Sequence, residues 1–369
     1  VKALCDRKSL LAAFGQISGV APTRSPKPVI QQCKLECSPD HGSTLIATDL
    51  EVGIRRRVLG VEVDDAGSVL LPPKVQQILA ASAETHVLIE TDGTTLRIVA
   101  GKSKFTLPAE DPALFPDVPK FASDAFFVLG PRDARDAIRR TMFSTDVEST
   151  RYALGGVKVE IEGEALAFIG TDGRRLAKML ASAVMPTPAP YSIGEPVIPV
   201  KALKLIDRNI DGDLTVHLAF GSNAAFVRTE DAEIYTRLVE GRFPRYQDVF
   251  PATAEVKVPM EVGQLLRATE QAAILTSDES RGVDFEFGGG ALNLKTNAAD
   301  VGSASVTLPI AYEGKPVGIT FDPRYLTDAL KVLDPASRVT AELIDGKSAA
   351  VFKTDDGYQY VIMPLTRDR

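Results

Sequence analysis

The chain has 369 residues, of which 44% are hydrophobic and 25% charged, with a formal net charge of −7. That length exceeds one comfortable core and predicts two or three domains in a globular chain. The acidic total argues against a simple basic nucleic-acid binder, and no apolar run approaches the roughly 18 residues that span a membrane. The opening residues, VKALCDRKSLL, lack the long apolar stretch of a secretory signal, so a cytoplasmic location is expected.

In chain order, the first element is an amphipathic helix, DRKSLLAAFGQIS at 6–18, with Leu10, Leu11, Phe14 and Ile17 at helical spacing. Cys5, Cys33 and Cys37 are an odd number for a disulfide framework, and CxxxC alone lacks a second ligand pair at zinc spacing, so reduced thiols are expected. TLIATDLEVGIR at 44–55 reads as a strand ending in a polar turn, and LLPPKVQQILAA at 70–81 as a strand leading into a helix. Asp64 and Asp65 before Ala66 and Gly67 read as a loop. The short strand TTLRIVA follows and leads toward FTLP.

The same order then returns. Helices are predicted at 131–144 and 261–277, turn-ended strands at 166–179 and 292–306, and strand-to-helix segments at 197–208 and 319–333. Thr48, Thr171 and Thr296 recur at a spacing of roughly 125 residues, each followed by Asp or Asn, which suit tight turns. That period is too long for a solenoid and describes three like domains of strands plus two helices, an α+β chain. The junctions fall near 121–125 and 250–256, giving domains 1–122, 123–251 and 252–369.

Charge is unevenly spread. The six helical segments sum to +5, leaving −12 on everything else. Solvated amphipathic helices would account for this, as would helices turned toward DNA phosphates, with Arg7, Lys8, Lys74, Arg132, Arg139, Arg140, Lys201, Lys204 and Arg267 as contributors. No helix-turn-helix, zinc-finger or RNA-binding aromatic signature accompanies them, so only sequence-independent backbone contact is implied.

Catalytic motifs are missing from the sequence. There is no phosphate loop, no dinucleotide fingerprint and no nucleophile elbow. Gly288, Gly289 and Gly290 read as a hairpin turn, and Asp211 and Asp213 around Gly212 as a turn lacking the remaining ligands of a calcium loop. His41, His86 and His217 are scattered and form no metal array. Neither metal nor cofactor is expected. A metal-dependent hydrolase using Asp211 and Asp213, or a β-rich scaffold that binds only proteins, are the competing readings.

Several segments together resemble the beta sliding clamp family of bacterial DNA polymerase III. They are IATDLEVGIR at 46–55, GTDGRRLAKM at 170–179, EGRFPRYQDVFP at 240–251, ATEQAAILTSDESRGV at 268–283 and YVIMPL at 360–365. They stand in family order across essentially the whole chain. The resemblance implies a non-enzymatic processivity factor: a closed ring of two head-to-tail three-domain protomers, sheets outside and two helices per domain inside, encircling double-stranded DNA without reading its sequence. It further implies that Arg24, Arg151 and Tyr152 approach DNA, although Ala153 stands where relatives can carry a second aromatic.

The resemblance also implies a pocket for linear peptides of replicative polymerase, clamp loader and repair proteins. Its matching positions are Leu154, Thr171, Gly173, Arg175, Leu176, Pro244, Val249, Tyr325, Val361, Met363, Pro364 and Leu365. In that pocket Arg175 is expected to orient the peptide. For the homodimer interface the matched positions are Lys74, Phe105 and Leu107 of the first domain, facing Ile274 and Leu275 of the third.

Overall fold

The computed structural model describes residues 1–149, 153–185, 193–210, 212–251, 253–277 and 279–365. Six helices are present among them: α1 (Arg7–Ile17), α2 (Lys74–Ala81), α3 (Pro131–Met142), α4 (Val200–Asn209), α5 (Val262–Ala273) and α6 (Pro323–Lys331). Five lie inside the segments expected from the apolar periodicity, and α4 overruns its segment by one residue, Asn209.

Three of the helices carry a clear local start signal. Asp6 caps α1 by accepting the Ser9 amide at 2.7 Å, and Asp322 caps α6 by accepting the Arg324 amide at 3.0 Å. Pro131 and Pro323 occupy first-turn positions, where a missing N–H costs nothing. α1 buries Leu10, Ala13, Phe14 and Ile17, a 3.6-residue stripe. Strands alternate instead: in Cys33–Cys37 and Val256–Glu261 every second residue is buried.

The chain divides into two compact units, Val1–Pro131 with Ala183–Leu238, and Arg132–Ser182 with Val239–Arg369. The central third of the sequence is therefore shared out. Its strand Ala232–Arg237 pairs antiparallel with Val52–Val58 in the first unit. Its strand Arg175–Val184 pairs through Arg175–Lys178 with Gln359–Ile362 in the second. Backbone pairing of this kind joins residues that a repeat period alone assigns to separate domains.

Within the first unit, a five-stranded antiparallel sheet ends on the edge strand Ser103–Pro108, which pairs only with Thr95–Ala100. Within the second, a four-stranded antiparallel sheet ends on Gly302–Pro309, which pairs only with Ala291–Ala298. The expected hairpin at Gly288–Gly290 is present, with Gly289 and Gly290 at φ of 58° and 73°, the two left-handed positions of a two-residue turn.

Two local expectations need correction. Asp64 and Asp65 lie not in a loop but at the end of the strand Val61–Asp65, where Lys2 pairs with Asp64 at 2.9 Å. The third threonine also ends no strand. Its strand runs on to Ala298, because the Thr296 hydroxyl donates to the Ala272 carbonyl of α5 (2.7 Å) instead of closing a turn.

Cys5, Cys33 and Cys37 are buried free thiols, and burial pushes Cys5 and Cys33 up to about 12, which keeps them protonated and unreactive.

Candidate functional site

The site grows out of a tight turn. At Thr171–Arg175 the Thr171 hydroxyl donates to the Arg175 carbonyl (2.6 Å) and accepts the Gly173 amide (3.1 Å). The Asp172 carboxylate accepts the amides of Arg174 and Arg175 at 2.9 and 3.0 Å. Gly173 sits at φ 85°, which glycine adopts without strain. The preceding Gly170 is also required: a Cβ there would lie 2.3 Å from the Thr141 carbonyl oxygen at the end of α3.

The turn is then tied to the last strand. Leu176 stands opposite Val361, and the Met363 amide donates to the Arg174 carbonyl at 2.9 Å. Beside it, Pro244 leads into the 3-10 turn Tyr246–Val249. Together these pieces surround a cavity of about 240 Å³ within the second unit. Leu176 and Val361 are buried at its base, whereas Met363 (44% exposed) and Val249 (37% exposed) reach solvent.

Of the expected pocket residues, Thr171, Gly173, Arg175, Leu176, Pro244, Val249, Val361 and Met363 line this one cavity. Leu154, Tyr325, Pro364 and Leu365 are not among its lining residues. Leu154 is buried and accepts the Asp146 amide through its carbonyl, and the Leu365 amide is held by the Thr320 carbonyl at 2.9 Å.

Tyr325 serves Arg175 instead, its ring 4.7 Å from the guanidinium. Arg175 donates through Nε to Asp172 (2.9 Å), through Nη1 to Asp328 (2.7 Å) and through Nη2 to the Phe143 carbonyl (3.0 Å). A guanidinium so fully engaged acts as a structural pin of the turn while also lining the cavity.

Sequence reading passed over three liners: Arg174, Arg245 and Tyr246. Each adjoins or nearly adjoins a residue it did select, so only the direction of the side chain was missing. The Tyr246 hydroxyl bonds the Glu160 carboxylate, and burial followed by that carboxylate raises the phenol above its ordinary value.

The cationic DNA-contact candidates differ in how they are engaged. Arg24, Lys8, Arg132, Arg139, Lys204 and Arg267 are exposed. Lys74 is exposed and reaches Gln77 at 3.3 Å. Lys201 bonds Asp49.

Two arginines do structural work. Arg7 donates to the carbonyls of Leu79 (3.1 Å) and Glu84 (2.7 Å), closing the C-terminal end of α2. Arg140 is buried, with Nη1 on Asp356 (2.6 Å) and Nη2 on Asp136 (3.2 Å), and drops out as a DNA-facing group because its charge is spent inside. Arg151, Tyr152 and Asp211 lie outside the described residues.

Phe105 and Leu107 lie half-buried on the edge strand Ser103–Pro108. Ile274, just past α5, is 73% exposed, and Leu275 packs beside Gly302 at the start of the other edge strand. The structure thus adds Gly302–Pro309 to the candidate interface. No cluster of three or more metal-binding side chains occurs among the described residues.

Three family models match in succession, for the N-terminal, central and C-terminal domains of the DNA polymerase III beta subunit, at residues 1–119, 129–245 and 247–366. The beta sliding clamp of Escherichia coli K12 is 28% identical over 99% of this chain and 100% of its own. That of Vibrio cholerae is 28% identical with the same coverage. A Pseudomonas aeruginosa DNA polymerase III subunit beta solved with griselimycin superposes with a TM-score of 0.92 at 27% identity over 99% of both chains. A Bacillus subtilis clamp, at 21% identity and TM-score 0.90 over 99% of both chains, shares the fold.

Proposed function

We propose, for a chain that belongs to the DNA polymerase III beta-subunit family, a closed ring of two head-to-tail copies that encircles duplex DNA and holds partner proteins by short peptides. Membership makes the protein a sliding DNA clamp of the replicative polymerase, and a processivity factor has no reaction to catalyse. Its workplace is the cytoplasm, with the replicating chromosome.

The observation that carries the peptide reading is the cavity between the Thr171–Arg175 turn, the Tyr246–Val249 turn and the last strand. Its buried base is aliphatic and its mouth carries Met363, a flexible side chain that adapts to different apolar anchors. Polymerase, clamp loader and repair proteins are the partners in this reading. The ring is supported by the two edge strands, whose outer N–H and C=O groups have no partner strand among the described residues and offer sheet extension across copies. DNA contact falls to Arg24, Lys8, Lys74, Arg139, Lys201, Lys204 and Arg267, together with Arg151 and Tyr152.

The direct test is topological. Protein loaded on a nicked circle should withstand high salt and leave when the circle is linearised. Equal salt sensitivity on circle and line would mean binding without encirclement, and would overturn the ring.

A further inference from the structure

The cavity has a charge character that its apolar base conceals. Arg174, Arg175 and Arg245 all line it, and no Asp or Glu does among the described residues. Arg175 is internally committed, and it engages the Asp172 and Asp328 carboxylates. Arg174 and Arg245 are exposed. Arg174 keeps its backbone in the turn, and neighbouring Tyr325 raises its guanidinium above the ordinary value. Two cationic heads on long stems therefore stand at the mouth of an aliphatic cavity.

We infer that Arg174 and Arg245 select among ligands, so that the pocket prefers extended peptides whose aliphatic or methionine anchors are flanked by aspartate or glutamate. This rests on the peptide reading above and specifies it. An apolar base fixes where the anchors go but cannot discriminate strongly between sequences that carry them. Charge at the rim does so by favouring acidic flanks and disfavouring basic ones. Solvent screens such exposed pairs, so each acidic flank should tighten binding only roughly three- to fivefold at low salt, and less as salt rises.

The probe is a displayed library of random, end-blocked heptapeptides, selected on the full-length protein and remeasured by fluorescence polarisation. Selected peptides should carry Asp or Glu beside Leu, Ile or Met. They should weaken when those acids are changed to amides, and lose the same factor on an Arg174→Gln/Arg245→Gln double variant. Those substitutions leave the main-chain bonds of the turn in place.

Met363→Ala separates the two claims. Peptides that lose affinity on Met363→Ala, yet bind equally with acidic or amide flanks, would overturn charge selection and leave the pocket standing. Peptides indifferent to Met363→Ala would remove the pocket, and the selectivity with it.

Discussion

Leu50 is the one non-glycine residue with positive φ among the described residues, at 82°. Its turn repeats that of Thr171–Arg175: the Thr48 hydroxyl donates to the Val52 carbonyl (2.9 Å) and accepts the Leu50 amide (2.9 Å), where the second copy has Gly173. A left-handed leucine costs about 1–2 kcal/mol, and glycine returns about 0.5–1 of that as chain entropy. Leu50→Gly should therefore stabilise by about 0.5–1 kcal/mol, raising the first thermal transition. A lower transition would show that the half-exposed leucine side chain contributes more than its backbone costs.

Arg175→Lys tests the opposite case, a strongly determined side chain. Lysine keeps the charge but is a point donor, unable to reach Asp172, Asp328 and the Phe143 carbonyl together or to stack on Tyr325. A loss of about 2–3 kcal/mol is expected, read as a lower urea midpoint. An unchanged midpoint would return Arg175 to the role of a peptide contact.

At the scale of elements, the six helices were legible because each carries an apolar stripe and three have a side-chain cap or a first-turn proline. The hairpin at Gly289 was legible for the same local reason. What the sequence could not disclose was set by distant partners. Thr296 and Thr171 look alike in sequence, yet one hydroxyl is claimed by the α5 carbonyl of Ala272 and the other by its own turn. Arg140 and Arg139 are adjacent in a basic helix, but only Arg140 meets Asp356 from more than two hundred residues away.

That contact ties α3 to the loop before the last strand, and it carries a pH dependence. Burial alone would raise the Asp356 carboxyl, but bonds from Thr354 and Arg140 hold it below the usual carboxylate range. A depressed acid stabilises the fold fully above its unfolded value of about 4 and loses that contribution as pH falls through the lower folded value. Asp356→Asn should thus melt lower than wild type at pH 6, with the difference narrowing toward pH 2. A constant gap would assign the effect to packing.

The edge strand makes a second prediction at this scale. Phe105→Lys combined with Ile274→Lys, which sets like charges on the two faces expected to meet, should give a monomer by sedimentation, with the thermal transition of each unit little changed. A persistent dimer would move the interface elsewhere.

For the molecule as a whole, a net charge of −7 is compatible with holding DNA only if holding is not a matter of affinity. Strong phosphate pairing would slow movement along the duplex, whereas enclosure needs no pairing at all. The distribution of charge fits that division, since the six helical segments together carry +5 and the remainder −12, although the two segments of the third domain contribute only −1 and 0. Of the helix cations, Arg7 and Arg140 are engaged in the fold, which leaves fewer for DNA than the sequence advertises.

Replacing Lys8, Lys204 and Arg267 by Gln separates the two roles. Each lost phosphate contact should lower the slope of log affinity against log salt by about 0.9 for linear duplex. Residence on a sealed circle should stay as long as that of wild type, because no bond to DNA has to break for the ring to remain. A residence time that shortens in step with the linear affinity would mean that the protein is held by its charges, and the topological account of its grip would then be wrong.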